Sequence, residues 1–72
     1  MRAERLVSMA NDIGAFFNAD ADKDAAAKNI ANHLTRFWDP RMRNQIVAHY
    51  REGGAGLEPV VRSAIALIAK NP

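Results

Sequence analysis

Pro40 divides this chain. A proline lacks a backbone N–H, and its ring clashes with the carbonyl four residues earlier, so no unbroken helix runs through that position. It also pushes the preceding residue, Asp39, out of helical geometry. Yet proline fits the first position of a new helix, where its missing amide satisfies no bond, and an aspartate just ahead can accept the free amides of the first turn. Asp39-Pro40 therefore closes one helix near Trp38 and opens another, so the chain must turn a corner in the middle. Gly53, in a Gly53-Gly54-Ala55-Gly56 run, marks a second stop, because a helix commonly ends on a left-handed residue that glycine adopts without a steric penalty. The polar run Asn18-Ala19-Asp20-Ala21-Asp22-Lys23-Asp24 supplies a third break, with several acceptors able to cap the next helix.

Between these breaks the apolar residues recur with helical spacing, and nothing alternates as a strand would. The first segment, about 2–18, places Leu6, Met9, Ala10, Ile13 and Phe17 on one face, widened by Val7 and Phe16. Gly14 inside it is unfavourable by roughly 1 kcal/mol relative to alanine, which implies either close packing or a locally weak helix. A second helix, about 22–37, carries Ala26, Ile30, His33 or Leu34, and Phe37 on its inner face. A third, about 40–52, turns Met42, Ile46, His49 and Tyr50 inward. A fourth, about 58–70, has Leu57, Val61, Ala64, Ile65 and Ile68 as its stripe, with Val60 and Leu67 off it. The expected fold is all-α: one domain over 1–72, a small bundle of four short helices with short connections.

With 72 residues, the chain is at the lower end of what folds alone, since a domain of this size buries only about 60% of its unfolded surface. Small domains make up the deficit with disulfides, metals or partners. Cysteine is absent, which excludes a disulfide framework and thiolate ligation of zinc or a cluster. A partner is the expected staple. The opening Met1-Arg2-Ala3-Glu4-Arg5 leads into a pattern broken by Ser8, Asn11 and Asp12, unlike a secretory signal, and no run reaches the roughly 18 apolar residues of a membrane span. A cytoplasmic location is expected.

The net charge of +2 conceals an uneven distribution. The segment 28–51 holds Lys28, Arg36, Arg41, Arg43 and Arg51 against Asp39, together with the chain's one tryptophan and one tyrosine. Arginines beside Phe37 and Trp38 admit reading the chain as a small nucleic-acid-binding or regulatory module. Against this, the segment offers few phosphate contacts, and Asp39 occupies the place at the third helix's start where a phosphate would sit.

Catalytic constellations fail one by one. Asp20-Ala21-Asp22-Lys23-Asp24 begins like a calcium loop, but the sixth position needs glycine and is Ala25, and the twelfth needs glutamate and is Ala31. His33 and His49 sit on different helices, and neither has a histidine one turn away. Ser8, Thr35 and Ser63 lie within helices, with no nucleophile elbow around them. The glycine run lacks phosphate-loop spacing. By itself the chain reads as a non-enzyme, with no catalytic, cofactor-binding or metal-binding residue.

What remains is Phe37-Trp38-Asp39-Pro40-Arg41-Met42-Arg43. Neighbouring helical residues point about 100° apart, so a small bundle cannot bury Phe37 and Trp38 equally. Trp, Met and Arg are enriched at interface centres. Phe37, Trp38, Arg41, Met42 and Arg43 are the candidate partner-binding residues, while Asp39, Pro40 and Gly53 serve as helix caps.

Several strings also carry a resemblance. Leu6 through Phe17, Ile30 through Leu34, the Phe37–Arg43 segment, and Gly53-Gly54-Ala55-Gly56-Leu57 leading to Pro59 and Val61-Arg62 resemble the delta subunit of NAD-dependent, molybdenum-containing formate dehydrogenases. The likeness spans nearly the whole chain except 18–27. It implies an accessory role in a complex that oxidises formate to carbon dioxide at a molybdenum bis-guanine-dinucleotide cofactor in its large alpha subunit, with iron–sulfur clusters, FMN and NAD carrying the electrons. The implied partner is that large subunit, and the implied task is assembly, stability or cofactor loading.

Overall fold

Helix formation ceases at Trp38 and resumes at Pro40 in the computed structural model, which describes residues 2–70. Among these residues the chain forms four helices and no strand: α1 (Ala3–Phe17), α2 (Lys23–Phe37), α3 (Pro40–Arg51) and α4 (Pro59–Lys70). The expected all-α bundle is the fold. At the central corner the Asp39 carboxylate accepts the Met42 amide at 2.9 Å, and Pro40 opens α3. At the far end of α3, Gly53 has φ of +119° and donates to the Tyr50 carbonyl, while Gly54 donates to the His49 carbonyl. This is the paired closure that glycine allows after a helix's last turn.

The acidic run between α1 and α2 is a set of caps. Asp22 accepts the amides of Asp24 and Ala25, at 3.0 and 3.2 Å, at the start of α2. Asp20 accepts the amide of Asp22 at 2.9 Å. The Lys23 ammonium donates to the carbonyls of Asn18 and Asp20 at 2.6 and 3.0 Å, a cation held at the negative end of α1.

The core is built from Leu6, Ile30, Leu34, Ile46, Val61 and Ile65, all fully buried, with Trp38 and Leu57 closing it. α4 lies principally against α2, and α1 touches the other three helices. The face α1 turns inward differs from the one its apolar spacing describes. Its buried line is Leu6, Val7, Ala10 and Gly14, while Met9, Ile13 and Phe17 sit half-buried at its margin and Phe16 points outward. The physical reason is Gly14. A Cβ at that position would lie 2.3 Å from Val61 Cγ2 and 3.8 Å from Ile30 Cδ1, so glycine permits the approach of α1 to α4. Close packing, not a weak helix, explains Gly14.

Two side chains tie the glycine turn to the helices. Asn11 donates to the Gly56 carbonyl at 2.9 Å and accepts the Glu58 amide at 3.0 Å, which caps the approach to α4. Arg62 donates to the carbonyls of Gly53 and Gly54 at 2.8 and 2.9 Å.

Candidate docking surface

The corner at residues 37–43 separates the candidate residues. Phe37 is the last residue of α2 and is 71% exposed, whereas Trp38 is 5% exposed and belongs to the core. The cause is local. Trp38 and Asp39 both have extended backbone, with ψ of 138° and 164°, so the helical period no longer governs where Trp38 points and its ring swings inward. Phe37 keeps the helical period and faces solvent, contrary to its expected place on the inner face of α2. Arg43 donates to the carbonyls of Thr35 and Trp38, closing the C-terminal end of α2. Met42 is half-buried against the core. Of the five candidates, Phe37 and Arg41 stand exposed, Met42 and Arg43 lie partly covered, and Trp38 is structural in the free chain.

Asp39, Pro40 and Gly53 occupy their expected cap positions at the two ends of α3. Within the basic segment the guanidinium of Arg43 is engaged by backbone carbonyls, and Arg51 reaches the Ala69 carbonyl at a long 3.5 Å. Arg36 and Arg41 are exposed, with no hydrogen bond or ion pair to the other described residues. Two such arginines make a thin phosphate-binding surface, since each phosphate neutralised by a basic side chain adds one increment of affinity.

Phe37 does have companions, which come from α1 and the middle of α2 rather than from its own corner. Its ring lies 4.7 Å from the imidazole of His33, which lies 6.1 Å from the ring of Phe17, and Phe17 meets Phe16 edge-on at 5.1 Å with the planes at 89°. These are the separations at which aromatic rings attract one another. An open groove of about 400 Å³, lined by Asp12, Ile13, Phe16, Phe17 and His33, runs beside this ladder. Phe16 is 79% exposed, and it and Phe37 are the large hydrophobic residues left in water among the described residues. The sequence signal for this group was present in part: Phe16 and Phe17 cannot both face the core, and His33 lies one turn before Phe37. What the sequence lacks is the rotation of α1 about its axis, which Gly14 sets from α4.

No helix among the described residues is long and apolar enough to cross a membrane. Among them, too, no three His, Cys, Asp or Glu side chains converge as a metal site would require, and the sequence has no cysteine for a cluster ligand. The sequence thus supplies no thiolate of the kind that holds an iron–sulfur cluster.

A family model described as the NADH-dependent formate dehydrogenase delta subunit FdsD matches residues 5–65. No curated protein and no solved structure gives a significant match. The matched span runs from the first turns of α1 to the middle of α4, and so includes the whole aromatic ladder, the central corner and the glycine turn.

Proposed function

The chain belongs to the family of NADH-dependent formate dehydrogenase delta subunits, and from that premise we propose that it is a non-catalytic accessory subunit acting on the large catalytic subunit. Its task in this reading is assembly, stability or molybdenum cofactor loading of that subunit, in the cytoplasm. The molybdenum bis-guanine-dinucleotide cofactor, the iron–sulfur clusters, FMN and NAD belong to the other subunits, whose chemistry turns formate into carbon dioxide. The observation that carries the proposal is the family match over 5–65. A partner also answers the size problem, since any binder of the folded form stabilises a marginal domain by mass action.

Deletion of the chain from a strain that otherwise makes the whole complex tests this. The expected result is a lower yield of complex, or large subunit deficient in molybdenum, with restoration when the chain is supplied in trans. An intact, fully metallated and equally active enzyme from the deletion strain overturns the proposal.

A further inference from the structure

Arg43, Val47 and Arg51 recur every four residues along α3 and so form one stripe, with the two arginines about 12 Å apart along the axis at roughly 1.5 Å per residue. The stripe walls a cavity of about 360 Å³ where α3 meets the C-terminal ends of α2 and α4. Val47 and Ile68, both half-buried against the core, supply its apolar lining, and Thr35 and Asn44 add a hydroxyl and an amide. Its charged lining consists of the two arginines alone. Asp39 and Glu52, the carboxylates that flank α3 in the sequence, do not line it, and Asp39 is turned to the Met42 amide.

Helix capping accounts for one of these arginines and not for the other. Arg43 spends a single nitrogen, Nη1, on the carbonyls of Thr35 and Trp38, which leaves Nε and Nη2 outside those bonds. Arg51 is exposed, and the bond it makes to the Ala69 carbonyl is 3.5 Å long, beyond the roughly 3.2 Å reach of an ordinary N–H···O bond. Neither bond goes to a carboxylate, although the planar guanidinium is built to pair with a carboxylate or phosphate through two parallel N–H groups. Two incompletely used guanidiniums and no acid in the lining select an anionic occupant.

The placement of the cations narrows the kind of anion. Arg43 is held at the end of α2 and Arg51 at the end of α4, so one small anion meets one of them at a time. A protein segment with two acidic side chains meets both, with its methylene groups against Val47 and Ile68. Nucleic acid makes poor use of the cavity, since two arginines neutralise few phosphates and the apolar lining gives phosphates nothing. A second copy of this chain has the acidic run 18–24 to offer. There, Asp20 and Asp22 already accept backbone amides and the Lys23 ammonium sits beside them, and a head-to-tail contact of this kind need not close into a finite assembly.

We infer that the cavity between α3 and the ends of α2 and α4 receives an acidic segment of another subunit of the formate dehydrogenase complex, with Arg43 and Arg51 each pairing a carboxylate. The inference rests on the accessory-subunit proposal. It retains Arg43 from the sequence-based candidates and adds Arg51, two turns further along the same face of α3.

The test is co-expression of the chain with the remaining subunits of its complex, purification through a tag on the large subunit, and measurement of the chain retained per complex. The wild-type chain is expected in fixed proportion, with retention that falls as salt rises and survives nuclease treatment. Arg51→Glu, at an exposed position with one long hydrogen bond, is expected to keep its melting temperature and to lower retention by about tenfold or more. Lys28→Glu makes the same change of charge on the exposed surface of α2, outside the cavity lining, and is expected to leave retention unchanged. A folded Arg51→Glu chain retained at the wild-type level overturns the acidic-segment site while leaving the accessory-subunit reading intact. Equal losses in Arg51→Glu and Lys28→Glu make net charge the cause and overturn it as well. Retention abolished by nuclease assigns the arginines to nucleic acid and does the same. A wild-type chain that fails to co-purify removes both readings. Sedimentation of the isolated chain supplies the remaining arm: an oligomer abolished by Arg51→Glu, with retention in the complex unaffected, makes the cavity a self-association site and overturns the inference.

Discussion

Replacing Gly14 by alanine puts two opposing effects on one atom. In an open helix the change is favourable by roughly 1 kcal/mol, through propensity alone. Here the new Cβ falls 2.3 Å from Val61 Cγ2, well inside contact distance. Val61 has little means of yielding. It is fully buried, it sits inside α4, and a valine in a helix is largely confined to one χ1 rotamer. Relief must come from a shift of α1 against α4, and overpacking of this kind is destabilising by about 1–3 kcal/mol. The contact is severe enough to expect the upper half of that range, so the net effect is destabilisation by about 1–2 kcal/mol after the propensity gain is subtracted. For a domain of this size that lowers the melting temperature by roughly 4–16 °C. Thermal and urea unfolding followed by far-UV circular dichroism measures it. The double-mutant cycle with Val61→Ala isolates the cause, since removing Cγ2 removes the clash and lets alanine at 14 recover its propensity gain. A Gly14→Ala chain more stable than wild type, or an unchanged effect in the Val61→Ala background, refutes the close-packing account of this glycine.

Three further substitutions probe the rest of the scaffold. Asp39→Ala removes the acceptor for the Met42 amide and is expected to destabilise by about 1 kcal/mol, read as a lower urea midpoint with an unchanged slope. Asn11→Ala removes both bonds that fasten Gly56 and Glu58 to α1, and the expected loss is roughly 1–3 kcal/mol, with faster amide exchange confined to the glycine turn and the start of α4. Trp38→Ala empties a core position and is expected to destabilise by about 3–5 kcal/mol, enough to unfold much of a marginal domain. Loss of complex in a Trp38→Ala strain therefore reports folding, and circular dichroism of the isolated variant distinguishes this from a docking defect.

How far the sequence carries can be followed residue by residue. Pro40, Asp39, Gly53 and the Asp22 cap act through backbone geometry within a few positions of themselves, so their roles are legible without the fold. The fold class is legible for the same reason, since helical periodicity and chain breaks are local properties. The partition of Phe37 and Trp38 was only half legible. That the two could not both be buried follows from helix geometry, but which one faces inward depends on where the helix stops, and Trp38 lies just beyond that stop. The joining of Phe16, Phe17, His33 and Phe37 was legible only in its local halves, Phe16–Phe17 and His33–Phe37. It depends on how α1 is rotated against α2, which is fixed by the fit of Gly14 to Val61 on α4, a contact between helices at opposite ends of the chain.

That this chain works by binding the large subunit of a formate dehydrogenase is tested most directly by affinity purification of the tagged chain from its native host. Quantitative mass spectrometry identifies what elutes, and formate oxidation is assayed in the eluate. The expected result is the large subunit in fixed molar proportion, together with formate-oxidising activity that the isolated chain lacks. Recovery of the chain alone, or with nucleic acid released by salt in place of any formate dehydrogenase subunit, contradicts it.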